Sequence, residues 1–207
     1  AGNKIWDRLY RCGLLPVLLA AAVLCYGYFN MQNIRETDYT VYTEKAVGNY
    51  RVAMVSDLHY GTTMDGEKLR AQCDRISASE PDIVVLVGDI VDESTTAEQL
   101  REAFSTLSSI KNKYGIFYVY GNHDRANYST KPNFTADQLT ACIRETGIHI
   151  LSDEVYEINE DLVLLGREDA GFSSKGENRS SGAALTEQAD SAKFLLLLDH
   201  RPLELQE

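Results

Sequence analysis

From Tyr50 onward, short apolar runs alternate with segments whose apolar residues recur at helical spacing. Residues 51–56 (RVAMVS) form an apolar run that stops at Asp57. Leu69, Cys73 and Ile76 then share one face of a helix over 67–79, and Pro81-Asp82 ends it. Residues 83–87 (IVVLV) are a β-branched run that ends at Gly88-Asp89. Leu100, Phe104, Leu107 and Ile110 mark the next helix, over 97–110, and residues 116–120 (IFYVY) the next strand, ending at Gly121-Asn122. A further helix runs to Glu145, capped by Thr135 or Asp137 and closed by Gly147. Shorter strands follow at 148–151, 155–158 and 162–166. A polar, Gly- and Ser-rich loop over 171–182 leads to a last apolar run, 194–198, which ends at Asp199-His200.

Strands alternating with helices predict an α/β fold, a layered sheet with flanking helices. Runs that are continuously apolar, rather than alternating, predict strands buried on both faces. Residues 30–49 are polar and mixed, and read as a connector with a short strand near 39–42.

The N-terminal stretch has a different pattern. No charge occurs from Cys12 through Ile34, and the part up to Phe29 is almost wholly apolar, which suits a membrane span of about 20 residues. Trp6 and Tyr10 at one end, and Tyr26, Tyr28 and Phe29 at the other, match two interfacial aromatic belts. Lys4, Arg8 and Arg11 ahead of the run orient the N-terminus to the cytoplasm. The expected organisation is a cytoplasmic N-terminus over 1–11, one transmembrane helix over 12–30, a connector over 31–49 and a domain over 50–207. That domain would lie on the extracytoplasmic face of a cell membrane. A cleaved signal peptide shares this order of charge and apolar residues, and it puts the domain on the same side.

Charge and cysteine content change the picture little. Residues 1–40 carry a surplus of one positive charge, so the remainder of the chain carries −12 and the total is −11. An acidic domain carries no signal for nucleic-acid binding, which needs Lys and Arg. Cys12, Cys25, Cys73 and Cys142 contain no C-x-x-C pair and read as small apolar residues, with a Cys73–Cys142 disulfide left open.

The candidate chemistry sits at the strand ends. Four apolar runs end in Asp57-Leu58-His59, in Gly88-Asp89-Ile90-Val91-Asp92, in Gly121-Asn122-His123-Asp124 and in Asp199-His200. Three of the four histidines fall in these clusters. Ligands of open α/β sheets gather beyond the carboxyl ends of the strands, so residues far apart in sequence are expected to converge. Carboxylate, imidazole and amide groups without thiolates suit divalent Mn, Fe or Zn. Two such cations about 3.5–4 Å apart can bind phosphoryl oxygens and ionise a bridging water, while a free imidazole protonates the leaving oxygen.

Asp57-x-His59, Gly88-Asp89-x-x-Asp92 and Gly121-Asn122-His123-Asp124, separated by gaps of 28 residues each, resemble the signature of the calcineurin-like metallophosphoesterase superfamily. Within it the chain is similar to membrane-anchored bacterial members with one N-terminal helix. The resemblance implies a four-layer sandwich and metal-dependent hydrolysis of phosphate esters, diester or monoester, by a dinuclear centre. It implies that Asp57 and His59 hold one metal, that Asp89 bridges both, and that Asn122 and His200 hold the second. His123 would be the general acid, Asp124 would orient it, and Asp92 would support the ligands or shape the turn. A membrane tether would suit a lipid-linked or nucleotide-sugar substrate.

The chain also departs from the pattern. The family closes its site with a Gly-His-x-His turn that is not found here, and the chain starts with Ala1, so it reads as a fragment whose domain is incomplete at the C-terminus. Glu93-Ser94 follows Asp92, where the superfamily's protein phosphatases have Arg-Gly. A non-catalytic metal-binding or ligand-sensing domain that keeps the fold is the alternative reading.

Overall fold

The computed structural model describes residues 4, 10–31, 33–45, 47–170 and 179–203. Trp6, Arg8 and residues 171–178 of the polar loop lie outside the described residues. The chain divides into two compact units, Ala1–Tyr42 and Thr43–Glu207.

The first unit includes helix α1 (Leu14–Met31), whose described side chains are almost all exposed. Among the described residues no helix is long and apolar enough to cross a membrane, so the transmembrane helix expected over 12–30 is not supported. Gly13 takes a positive φ of 71° and leaves Cys12 and Gly13 outside the helix. Residues 39–42, where a short strand was expected, form none and are exposed.

The second unit builds two sheets. Strands β1 (Val52–Val55), β2 (Ile83–Val87), β3 (Ile116–Val119) and β4 (His149–Ile150) lie side by side in that order, all parallel. The connecting helices are α2 (Gly66–Ala78), α3 (Ala97–Leu107) and α4 (Ala136–Glu145). Both α3 and α4 begin in capping boxes, Thr96 with Gln99 and Thr135 with Gln138, which satisfy the first free N–H groups of each helix. The second sheet orders β5 (Glu154–Glu157), β6 (Leu162–Gly166) and β7 (Phe194–Leu198), with β6 and β7 parallel. Helix α5 (Gly182–Glu187) precedes β7.

The strands' two faces explain the layering. One face of the first sheet buries Val84, Leu86 and Tyr118 against Leu69, Phe104 and Ile143 of the helices. Its other face buries Ile83, Val85 and Phe117 against Leu162, Leu164 and Leu198 of the second sheet. The outer face of that sheet packs Val163 and Leu165 on Leu185 of α5. The order is helices, sheet, sheet, helix, the four layers that the resemblance implied. β2, β3 and β6 are buried throughout, as continuous apolar runs predict, but Met54 of β1 and Leu197 of β7 are exposed. Both lie on edge strands, so one neighbour is lacking. Cys73 and Cys142 are free and buried in the helical layer.

Candidate metal centre

Because β1, β2 and β3 are parallel, their carboxyl ends share one edge of the sheet, and after β1 and β2 the chain leaves in a tight, strained turn. Among the described non-glycine residues six have positive φ, and Asp57 (54°), His59 (42°) and Asp89 (52°) are three of them. Such left-handed geometry is uncommon outside glycine and costs on the order of 1 kcal/mol per residue, so it persists only where neighbours enforce it. The enforcement is visible: Asp57 N donates to Gly88 O (3.1 Å), His59 N to Asp89 O (3.0 Å) and Tyr60 N to Ile90 O (3.0 Å). The two loops thus stay paired beyond the last ladder bond of β1 and β2.

That pairing sets Asp57, His59 and Asp89 together, with one ligand atom from each within 4.8 Å of the others. His200, at the end of β7, enters from the second sheet. Its Nδ1 lies 2.9 Å from Val87 O, and its Nε2 3.3 Å from Asp89 Oδ2. A carbonyl can only accept, so Nδ1 carries the proton, and in the neutral ring Nε2 presents a lone pair to the cluster. Gly88 makes this approach possible: a Cβ there would lie 2.6 Å from His200 Nδ1 and 2.7 Å from the Gly121 backbone. His59 is oriented in the same manner. Its Nδ1 faces Asp92 Oδ2 at 3.3 Å, and its Nε2 lies 3.7 Å from Asp89 Oδ2. Asp92 is itself held by the Ser94 hydroxyl, the Ser94 amide and Thr62 Oγ1, and these bonds outweigh the burial that would raise its pKa, leaving it lowered.

The turn after β3 supplies the remaining residues. Asn122 is half-buried between Gly121 and His123, and the His123 amide donates to Asp89 Oδ1 at 2.9 Å. The His123 ring meets His59 edge-on, with centroids 5.2 Å apart, and touches Tyr128 at 4.9 Å. Its Nδ1 faces the Glu93 carboxylate at 3.0 and 3.1 Å. Burial lowers the pKa of His123, but Glu93 overcomes this and the net shift is upward.

Asp124 does not orient His123, contrary to expectation. It is fully buried, and its Oδ2 accepts from the amides of Gly121 (2.6 Å) and Asp89 (2.8 Å), its Oδ1 from those of Ile90 (2.8 Å) and Val91 (3.1 Å). Neighbours on a tight turn point to different sides, so Asp124 shapes the Asp89 loop while Glu93 takes the partnership with His123. Sequence adjacency hid Glu93; its only signal is a carboxylate directly after the Gly-Asp-x-x-Asp turn.

The donors fit divalent metals: carboxylate and imidazole atoms converge, with no thiolate among them. The charge balance points the same way. Burial raises the pKa of Asp89, but the bonds from His200 and from the His123 amide outweigh it and the net shift is downward. The Asp89 carboxylate pushes His200 up to about 9, so the imidazolium supplies the local positive charge. The pH dependence follows. The folded-state pKa exceeds the unfolded value of about 6.5, so the stabilisation is complete below about pH 6.5 and is lost as pH rises through about 9. Urea unfolding of metal-free protein between pH 6 and 9.5 is expected to show a loss of up to about 3 kcal/mol, and His200→Gln should flatten that slope.

A layered α/β protein with Asp and His donors gathered at the carboxyl edge of its strands has, by class, a candidate metal site in the place where open α/β sheets hold their ligands. Residues 50–204 match the calcineurin-like phosphoesterase family, and the chain belongs to it. It is 28% identical over 191 residues to an uncharacterized metallophosphoesterase of Aquifex aeolicus, covering 91% of this chain and 68% of that protein. It is 25% identical over 207 residues to the uncharacterized metallophosphoesterase YkuE of Bacillus subtilis, covering 92% of this chain and 72% of that protein. It is also 30% identical over 128 residues to a transmembrane protein with metallophosphoesterase domain from Danio rerio, covering 60% of this chain but 29% of that one.

Proposed function

We propose that the chain hydrolyses phosphate esters at a dinuclear metal centre bridged by Asp89. The observation that carries this is the convergence of His59 Nε2 and His200 Nε2 on Asp89 Oδ2, at 3.7 and 3.3 Å, with both imidazoles turned by bonds at Nδ1. Asp57, His59 and Asp89 would hold one ion, and Asp89, Asn122 and His200 the second, from among Mn, Fe and Zn. When bound, the ions supply Lewis acidity and an ionised water. The rest of the chemistry belongs to side chains. Glu93 fixes the His123 ring through Nδ1, leaving Nε2 free to hold a proton for the departing alkoxide. The raised pKa of His123 keeps more of it protonated at neutral pH. Asp92 and Asp124 hold His59 and the Asp89 loop in place.

The test combines elemental mass spectrometry with turnover of p-nitrophenyl phosphate and bis(p-nitrophenyl) phosphate. About two ions per chain are expected, with turnover at least about a hundredfold lower after chelation and restored by Mn, Fe or Zn. A folded chain that binds no metal would overturn the reading and leave a ligand-sensing domain in its place.

A further inference from the structure

The loop after the third strand is bent sharply, and the bend brings one side chain to the rim of the centre. Ala126 is buried, yet it takes a positive φ of 53°, a conformation unfavourable for a residue with a Cβ. Two successive turns hold it there: Ala126 N donates to His123 O at 2.8 Å, and Ser129 N to Ala126 O at 3.2 Å. Both ends of the loop are anchored. Arg125 is bidentate to Glu168 and lies over the Tyr120 ring at 3.6 Å. Phe134 is buried, and Asn133 Nδ2 beside it donates to Ser94 O at 3.3 Å.

Between these anchors the chain presents Tyr128. Its ring lies against that of His123, with centroids 4.9 Å apart and planes tilted by 45°, yet the residue is 63% exposed. Among the described residues of the second unit, no other Phe, Tyr or Trp is exposed. A single exposed apolar side chain is ordinary on a protein surface. This one stands on the histidine whose Nε2 is open, and that histidine also touches His59 of the cluster, at 5.2 Å between centroids. The strained turn is what sets the ring there.

Resting on the hydrolase reading above, the geometry points to Tyr128 as a specificity residue that stacks on a planar ring in the leaving group, an aryl group or a nucleobase. To be protonated, the leaving oxygen must come within hydrogen-bond reach of His123. Whatever that oxygen carries then lies beside His123, where the open aromatic face is that of Tyr128. A flat ring gains most from such a face, because offset stacking covers both π surfaces and leaves polar edges in water. A flexible alkyl group has no face to offer. The contact is to the leaving group alone, so the affinity for phosphate itself does not depend on it.

The experiment uses the full metal-loaded chain and calorimetric titration with adenosine monophosphate and with inorganic phosphate. The wild type should bind the nucleotide at least about fivefold more tightly than phosphate. Tyr128→Ala should weaken nucleotide binding about fivefold to a hundredfold and shift phosphate affinity less than about twofold, at unchanged metal content. Tyr128→Phe should keep the wild-type preference, because the ring face and not the hydroxyl makes the contact. NMR of tyrosine-labelled protein, assigned with Tyr128→Phe, should show the Tyr128 ring signals moving upfield with the nucleotide and not with phosphate. The ratio of kcat/KM for adenosine monophosphate to that for glycerol phosphate should fall by a similar factor in Tyr128→Ala. Equal losses on both ligands, unmoved ring signals, or a wild type without preference for the nucleotide overturn the role of Tyr128, while turnover of the model esters keeps the hydrolase reading intact. A metal-loaded wild type that turns over no ester and binds no phosphate overturns both.

Discussion

Replacing Asp89 by asparagine is expected to remove bound metal and to lower kcat/KM at least about a thousandfold, with the fold retained. The expectation follows from how many groups depend on one carboxylate. Asp89 Oδ2 lies within 4 Å of both His59 Nε2 and His200 Nε2, and Oδ1 accepts the His123 amide. Asparagine keeps the shape and one carbonyl oxygen, so the bond from His123 survives. It removes the negative charge on which any bridging role depends, and the amide nitrogen presents hydrogens where a lone pair is needed. The counter-ion of His200 goes as well, so that histidine should titrate well below its value of about 9 in the wild type. Elemental mass spectrometry reads the metal, model esters read the rate, and an NMR titration of the imidazole reads the third effect. Metal-dependent turnover within tenfold of wild type in Asp89→Asn would mean that the ions, if bound, are held elsewhere.

How far such a site is legible from sequence depends on whether its residues are fixed by strand order or by loop packing. Asp57, His59, Asp89 and His200 each directly follow or closely trail a continuous apolar run. Parallel strands put those ends on one edge, so their convergence could be anticipated from order alone. Layering was legible for a similar reason: Ile83–Val87 and Leu162–Gly166 have no polar position, and a strand with no polar face needs two covers. Two things escaped. The pairing of Glu93 with His123 joins two loops whose relative position comes from backbone bonds between them, which no spacing rule encodes. The inward turn of Asp124 is set by four amides, three of them more than thirty residues away.

The second large effect is expected at Asp124, and it should fall on stability. The four amides of Gly121, Asp89, Ile90 and Val91 are buried around this carboxylate and have it as their acceptor. Alanine at 124 would leave all four without it in a site with almost no access to water. An unsatisfied buried donor costs about 1–3 kcal/mol, so even with partial rescue by entering water the loss should reach about 4 kcal/mol, a large part of the 5–15 kcal/mol typical of a domain. For a chain of this size that corresponds to a fall in Tm of about 8–16 °C. Asp124→Asn should fall between the two, because one oxygen still accepts while the amide nitrogen must face an N–H donor. Loosening this loop also loosens Asp89, so metal affinity should drop together with Tm, and high metal concentration should recover part of both. The outcome separates the two roles that have been considered for this residue. If Asp124 oriented His123, its removal would lower kcat and leave Tm near the wild-type value; a carboxylate that organises the Asp89 loop must instead show its loss in unfolding even when no metal or substrate is present.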